Sequence, residues 1–150
     1  MWLISVVGRG GMVWLAIGAA LAIAKRLPPR GLLQLVLAIL MASVLADQIL
    51  KPLISRERPF AHLTELRVIG GHPESSSFPS GHSANAFAGA TTLSVLVPGA
   101  QAFWWPLAVV IAFSRVYLGV HHPLDVVGGA IVGLASAAIA LRMRWRSPDR

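Results

Sequence analysis

Residues 31–59 read GLLQLVLAILMASVLADQILKPLISRERP, and this stretch decides the fold. After a break at Pro28-Pro29-Arg30, residues 31–50 are apolar over the length a bilayer core asks of a helix, about 20 residues. The run then gives way to a cationic segment containing Lys51 and Arg58. Four further stretches approach that length: from residue 3 or 11 to 24, 82–98, 102–119 and 124–141. The expected fold is therefore all-α, an integral membrane helical bundle of about five transmembrane helices. It forms a single domain over 1–150, with a motif core over 51–125.

Composition supports this reading. Hydrophobic residues make up 55% of the 150 and mean hydropathy is +0.68, above what a soluble domain carries. The net charge of +7 does not mark a nucleic-acid binder, because the basic residues punctuate apolar runs rather than interleave with aromatics on a polar surface. The absence of cysteine rules out disulfides, thiolate zinc sites and a cysteine nucleophile.

Five spans put Lys25, Arg26 and Arg30 on the same side as Arg142, Arg144, Arg146 and Arg150, the side expected to be cytoplasmic. Ala22 and Ala24 before Lys25 imitate a signal-peptide cleavage site. Cleavage would carry the C-terminal arginines to the outer side, so the first span is expected to stay. Trp104, Trp105 and Trp145 fall near the basic boundary and read as interface anchors. Gly129 and Gly133 in the fifth span suit close helix packing.

The unusual polar residues gather at the opposite face, where the second span ends, the third begins, the fourth ends and the fifth begins. Lys51, Arg58 and Arg115 are cations near hydrocarbon, where uncompensated charge is costly. Asp47, four residues before Lys51, can pair with it, but acids are too few for all three and a phosphate would supply the missing charge. Lys51 and Arg58 are seven apart and would point the same way if the helix persists through Pro52. Ser80 and Gly81 form a helix start with free amides that favour a phosphate. His82 is placed to give a proton to a leaving oxygen. His121 and Asp125, four apart, can orient each other so that the second imidazole nitrogen attacks phosphorus.

Each of these features has an ordinary reading: a helix cap, or a cation snorkelling to the membrane surface. Two histidines, three cations and a paired carboxylate on one face are not explained by packing, since each costs stability there. Other polar residues keep ordinary readings. His62, His72, Glu65, Arg67 and Glu74 belong to a solvated loop over 55–80, His122 supports the turn before the fifth span, and Ser114 supports Arg115 or the phosphate oxygens.

Three segments carry a resemblance: Lys51, six residues, then Arg58-Pro59; Pro79-Ser80-Gly81-His82; and Ser114-Arg115, five residues, His121, three residues, Asp125. In order and spacing they resemble the type 2 phosphatidic acid phosphatase family, which shares its phosphate pocket with the vanadium haloperoxidases. The resemblance covers about half the chain. It implies that Lys51, Arg58, Ser80, Gly81 and Arg115 bind phosphate, that His82 protonates the leaving group and that Asp125 orients the nucleophile His121. It also implies a short bacterial enzyme of the cytoplasmic membrane using neither metal nor cofactor, and because the motif face lies opposite the basic clusters its pocket is expected on the extracytoplasmic side. The family usually carries one more span than the five counted here, which leaves a helix face uncovered and a homo-oligomer open. By the same resemblance the partner is a lipid phosphate rather than nucleic acid, with undecaprenyl diphosphate ahead of phosphatidylglycerophosphate and phosphatidic acid. A lipid phosphotransferase and a noncatalytic lipid-phosphate binder are the competing functions.

Overall fold

A computed structural model of the chain describes residues 11–62, 68 and 73–143. Five long helices account for most of them: α1 (Met12–Ile23), α2 (Pro29–Ser43), α4 (Gly81–Leu96), α5 (Gln101–Tyr117) and α6 (Pro123–Arg142), with a short α3 (Pro59–His62) between α2 and α4. No strand occurs among the described residues. Helix α2 does not stop at Ser43 but continues through a π-helical stretch, Val44–Leu50, and a last α-turn, Lys51–Ile54. The helix beginning at Pro29 and α6 each hold an 18-residue window of mean hydropathy 2.0, as spans require. The five expected spans are present as helices, and the bundle is all-helical.

Local chemistry sets the helix limits. Pro29 and Pro123 open α2 and α6, where proline's missing N–H costs nothing. Ser55 adopts a left-handed conformation, φ 46°, and ends the run after Ile54. The helix therefore does not persist from Lys51 to Arg58, and the two-turn argument for their alignment fails. Arg58 reaches the site from an irregular segment instead.

Helix α4 is the hub and packs against α6, α5 and α2. Its sequence, GHSANAFAGATTLSVL, is rich in small residues, and these let its neighbours come close. A methyl group on Gly133 would collide with the Ala84 carbonyl and lie 2.8 Å from the Ala88 amide, and one on Gly129 would strike the Ser80 carbonyl. At Gly89 the Trp14 ring of α1 fills the space a side chain would need. Ala38, Ala42, Ala46, Ala84, Ala88, Ala137 and Ala140 make a tight alanine seam between α2, α4 and α6.

Larger residues pack elsewhere, with Trp14, Leu35, Leu93, Trp104 and Ile111 at their centre. Trp104 is only 6% exposed and stacks edge-on to Trp14 at 6.4 Å. It is a core residue rather than an interface anchor, because α1 and α5 meet across it. Trp145 and the arginines from 144 onward lie outside the described residues. On the outside the helices present Leu40, Val95, Phe103, Phe113, Ile131 and Ile139, an apolar surface of the kind lipid tails cover.

At the basic end the Gln34 side chain donates to the Ala140 and Leu141 carbonyls, at 3.4 and 3.3 Å. It ties the start of α2, with Arg30, to the end of α6, with Arg142. The pairing of basic clusters expected from five spans is thus realised among the described residues. Valine at Gly133 is expected to destabilise the detergent-solubilised protein by about 1–3 kcal/mol, the usual cost of overpacking. An unchanged unfolding midpoint would contradict the α4–α6 contact.

Candidate active site

The end of the bundle opposite Gln34 gathers every sequence-predicted site residue. Their placement follows from the α4–α6 contact, which the Ser80 amide extends by donating to the Asp125 carbonyl at 2.9 Å. Ser80 is the N-cap of α4 and its hydroxyl accepts from the Ser83 amide at 3.4 Å. Gly81 and His82 form the first turn, with Gly81 buried and His82 half-buried.

Lys51 Nζ donates to Asp47 Oδ1 at 2.6 Å, the pairing that their spacing of four predicts. Asp47 sits within the π-helical stretch of α2, a widened winding frequent at functional sites. A methyl group on Gly81 would lie 2.7 Å from Asp47 Oδ1. The Asp47–Lys51 pair therefore stands directly against the start of α4, and glycine at 81 is what admits it.

Arg58 is buried and held on all sides. Its Nε donates to the Ser75 carbonyl at 2.8 Å and one terminal nitrogen to the Val120 carbonyl at 2.7 Å. The other terminal nitrogen donates to Ser75 Oγ at 3.2 Å and the Ser76 carbonyl at 3.3 Å. These four acceptors are neutral, so the guanidinium is fixed in place without a bonded carboxylate, although the charges of Asp125 and Asp47 are near enough to act on it.

His121 lies in the turn before α6, 4% exposed, and Asp125 is fully buried in the first turn of that helix. His121 Nδ1 is 3.5 Å from Asp125 Oδ2, near but not hydrogen-bonded, and it is buried with no other hydrogen-bonding partner among the described residues. Burial pushes the His121 imidazole down to about 4; the pull of Asp125 opposes this and the charges of Arg58 and Arg115 add to it. The ring is therefore neutral at neutral pH. Arg115 lies in the last turn of α5, half-buried, close enough for its charge to act on His121.

The structure adds residues that sequence reasoning did not assign. Arg56 donates to Asp125 Oδ1 at 2.9 Å, and the buried Ser77 hydroxyl donates to Oδ2. The His122 amide also donates to Oδ2, at 2.8 Å, which bears out a turn-supporting place for that residue. The available signal was an extra arginine in the Arg56-Glu57-Arg58 run and the Ser75-Ser76-Ser77 triplet ahead of Pro79. The Ser114 hydroxyl donates back to the Ile111 carbonyl at 2.6 Å. Glu65, Arg67, His72 and the His62 side chain lie outside the described residues.

An open cleft of about 370 Å³ adjoins these groups, lined among others by Arg56, Arg58, Phe60, Glu74 and Ser75. The end of the bundle thus combines an amide-rich helix start, a fixed guanidinium and a neutral imidazole beside a buried carboxylate. Such a set can bind a tetrahedral anion and attack it. Arg58→Lys removes the fork that serves several acceptors at once. It is expected to lower unfolding stability by about 1–3 kcal/mol, measured in detergent without substrate. An unchanged midpoint would show that these hydrogen bonds hold nothing in place.

Comparison with known proteins gives a consistent picture. The family model described as PAP2 superfamily matches residues 31–149. The chain is 33% identical over 140 residues to an undecaprenyl-diphosphatase of Sulfolobus acidocaldarius, covering 91% of this chain and 66% of the relative. The crystal structure of Aquifex aeolicus LpxE superimposes with a TM-score of 0.79 at 32% identity, over 93% of this chain and 81% of the other. That of a transmembrane PAP2 type phosphatidylglycerolphosphate phosphatase from Bacillus subtilis gives 0.70 at 28%, over 94% and 76%. The chain spans about half to two thirds of the length of the curated relatives it matches.

Proposed function

The chain belongs to the PAP2 superfamily, and we propose that it is a membrane hydrolase that removes phosphate from a lipid phosphate or diphosphate through a phosphohistidine. The observation that carries this reading is the buried His121 imidazole 3.5 Å from the buried Asp125 carboxylate, with burial favouring the neutral ring. A protonated ring would have no lone pair to attack with, and an unaccompanied cationic pocket would only bind.

In this reading Lys51, Arg58, Arg115 and the amides at Ser80 and Gly81 hold the phosphate oxygens. His121 Nε2 attacks phosphorus as the bond to the leaving oxygen breaks. His82 supplies the proton that oxygen takes up, and Asp125 steadies the proton on Nδ1 as positive charge develops on the ring. Water, deprotonated by His82, then cleaves the phosphorus–nitrogen bond and restores His121. The cations meet the charge spread over the phosphoryl oxygens, so the scheme calls for no metal. Undecaprenyl diphosphate is the first substrate, supported by the likeness to the Sulfolobus enzyme. Phosphatidylglycerophosphate, supported by the Bacillus structure, and phosphatidic acid follow. The pocket faces the side opposite the basic end, which by the charge rule is extracytoplasmic.

The deciding assay is phosphate release by the purified protein in detergent from these three lipids, with and without EDTA, beside His121→Ala. Release that survives EDTA and is lost in the variant is expected. Transfer to a second lipid without free phosphate would make the protein a phosphotransferase, and binding that is indifferent to His121 would make it a carrier. Strict dependence on magnesium would overturn the metal-free scheme.

The acidity of His121 makes a separate prediction. A depressed imidazole stays unprotonated as pH falls, so activity should be lost only as pH drops through the lowered value. The acid limb of kcat/KM, which reports the free enzyme, is therefore expected near pH 4 rather than at the ordinary imidazole value of 6.5. A limb at the ordinary value would show that burial does not govern the nucleophile.

A further inference from the structure

Asp125 is fully buried at the edge of the bundle, and an ionised carboxylate there survives only with its oxygens satisfied. Its own helix turn supplies one donor, the His122 amide. The other two come from far away in sequence, Arg56 on Oδ1 and Ser77 on Oδ2. These two residues stand at opposite ends of the long loop and are fastened to each other: the Ser77 amide donates to the Arg56 carbonyl at 2.8 Å, and Ser76 Oγ reaches the same oxygen at 3.3 Å. Arg58 repeats the link one step along, through Ser75 and Ser76. The base of the loop is thus a clamp closed on one carboxylate.

We propose that Arg56 and Ser77 are positioning residues for the nucleophile, fixing the Asp125 carboxylate so that Oδ2 stays turned to His121 Nδ1. The inference rests on the proposed phosphohistidine chemistry and adds two residues to it. No hydrogen bond joins either of them to His121 among the described residues; they act on it through Asp125. Arg56 differs from Arg58 in the feature that matters: its guanidinium is bonded to a carboxylate, whereas the acceptors of Arg58 are neutral. Arg56 is thus bonded to the carboxylate itself, whereas Arg58 is held beside it by carbonyl and hydroxyl oxygens. Removing the partners that orient metal-bound histidines alters activity roughly 10- to 100-fold, and a loss of that order is expected here by analogy.

The test compares wild type with Arg56→Gln, Arg56→Lys and Ser77→Ala by phosphate release, measuring kcat, KM and inhibition by vanadate, which mimics five-coordinate phosphorus. Arg56→Gln is expected to lower kcat roughly 10- to 100-fold and to weaken vanadate inhibition in step, because the five-coordinate form needs the oriented His121, while KM moves by no more than about twofold. Arg56→Lys should recover part of the loss, and Ser77→Ala should lower kcat with the same split. A raised KM and weakened vanadate inhibition at unchanged kcat would make Arg56 a phosphate ligand and overturn the inference. Wild-type kinetics in both Arg56→Gln and Ser77→Ala would overturn it as well. So would a loss of folded protein in Arg56→Gln together with wild-type kinetics in Ser77→Ala. A wild-type protein that releases no phosphate would instead remove the proposed hydrolase itself.

Discussion

Helices α4 and α6 approach so closely at Gly129 and Gly133 that a single methyl group at either position would meet backbone. In a bilayer there is no hydrophobic gain from bringing helices together, since lipid tails are as apolar as leucine, and close packing with polar cross-bonds must take its place. That contact fixes the start of α4 against the start of α6, and the Ser80 amide completes it on the Asp125 carbonyl. Ser80, Gly81 and His82 on one helix, and His121 and Asp125 on or beside the other, hold their relative positions because the two backbones cannot slide. The site is precise because the least decorated surfaces of the protein meet behind it.

Charge is managed by partnering each ion differently. Lys51 is matched by Asp47, Asp125 by Arg56, and Arg58 by neutral oxygens. The first two pairs are locally balanced, which lets them sit at the membrane edge at acceptable cost. Arg58 is fixed by neutral oxygens, with the Asp125 and Asp47 carboxylates near enough for their charges to act on it. On the proposed reading, an incoming phosphate would meet a cation that has already lost its conformational freedom, and that ordering cost would fall on folding rather than on binding.

Much of this was legible in the sequence because it is local or periodic. Five apolar runs gave five helices, the i,i+4 spacing gave the Asp47–Lys51 pair, Ser80 capped the helix it precedes, and Gly129 and Gly133 marked the close contact. What escaped is tertiary. Arg56 and Ser77 meet Asp125 across a loop without period, and no spacing rule links positions 56, 77 and 125. Trp104 passed for a surface anchor because burial between α1 and α5 depends on how the helices are arranged. The Ser114 hydroxyl, next to a site arginine, bonds its own preceding turn, as a serine in a helix commonly does. The helix runs through Pro52 but ends at the left-handed Ser55, where the loop was expected to begin, so only the conditional alignment of Lys51 with Arg58 failed.

The polar machinery occupies one end of the bundle, while Gln34 and the Arg30–Arg142 neighbourhood occupy the other. A headgroup in the far leaflet stands a hydrocarbon thickness away, roughly 30 Å, with a packed alanine seam between α2, α4 and α6 lying in between. On the proposed reading, the protein would act only on molecules delivered to the leaflet at its polar end. Its throughput would then be coupled to the flipping of its lipid, and the proposed reaction would have a direction in space as well as a chemistry.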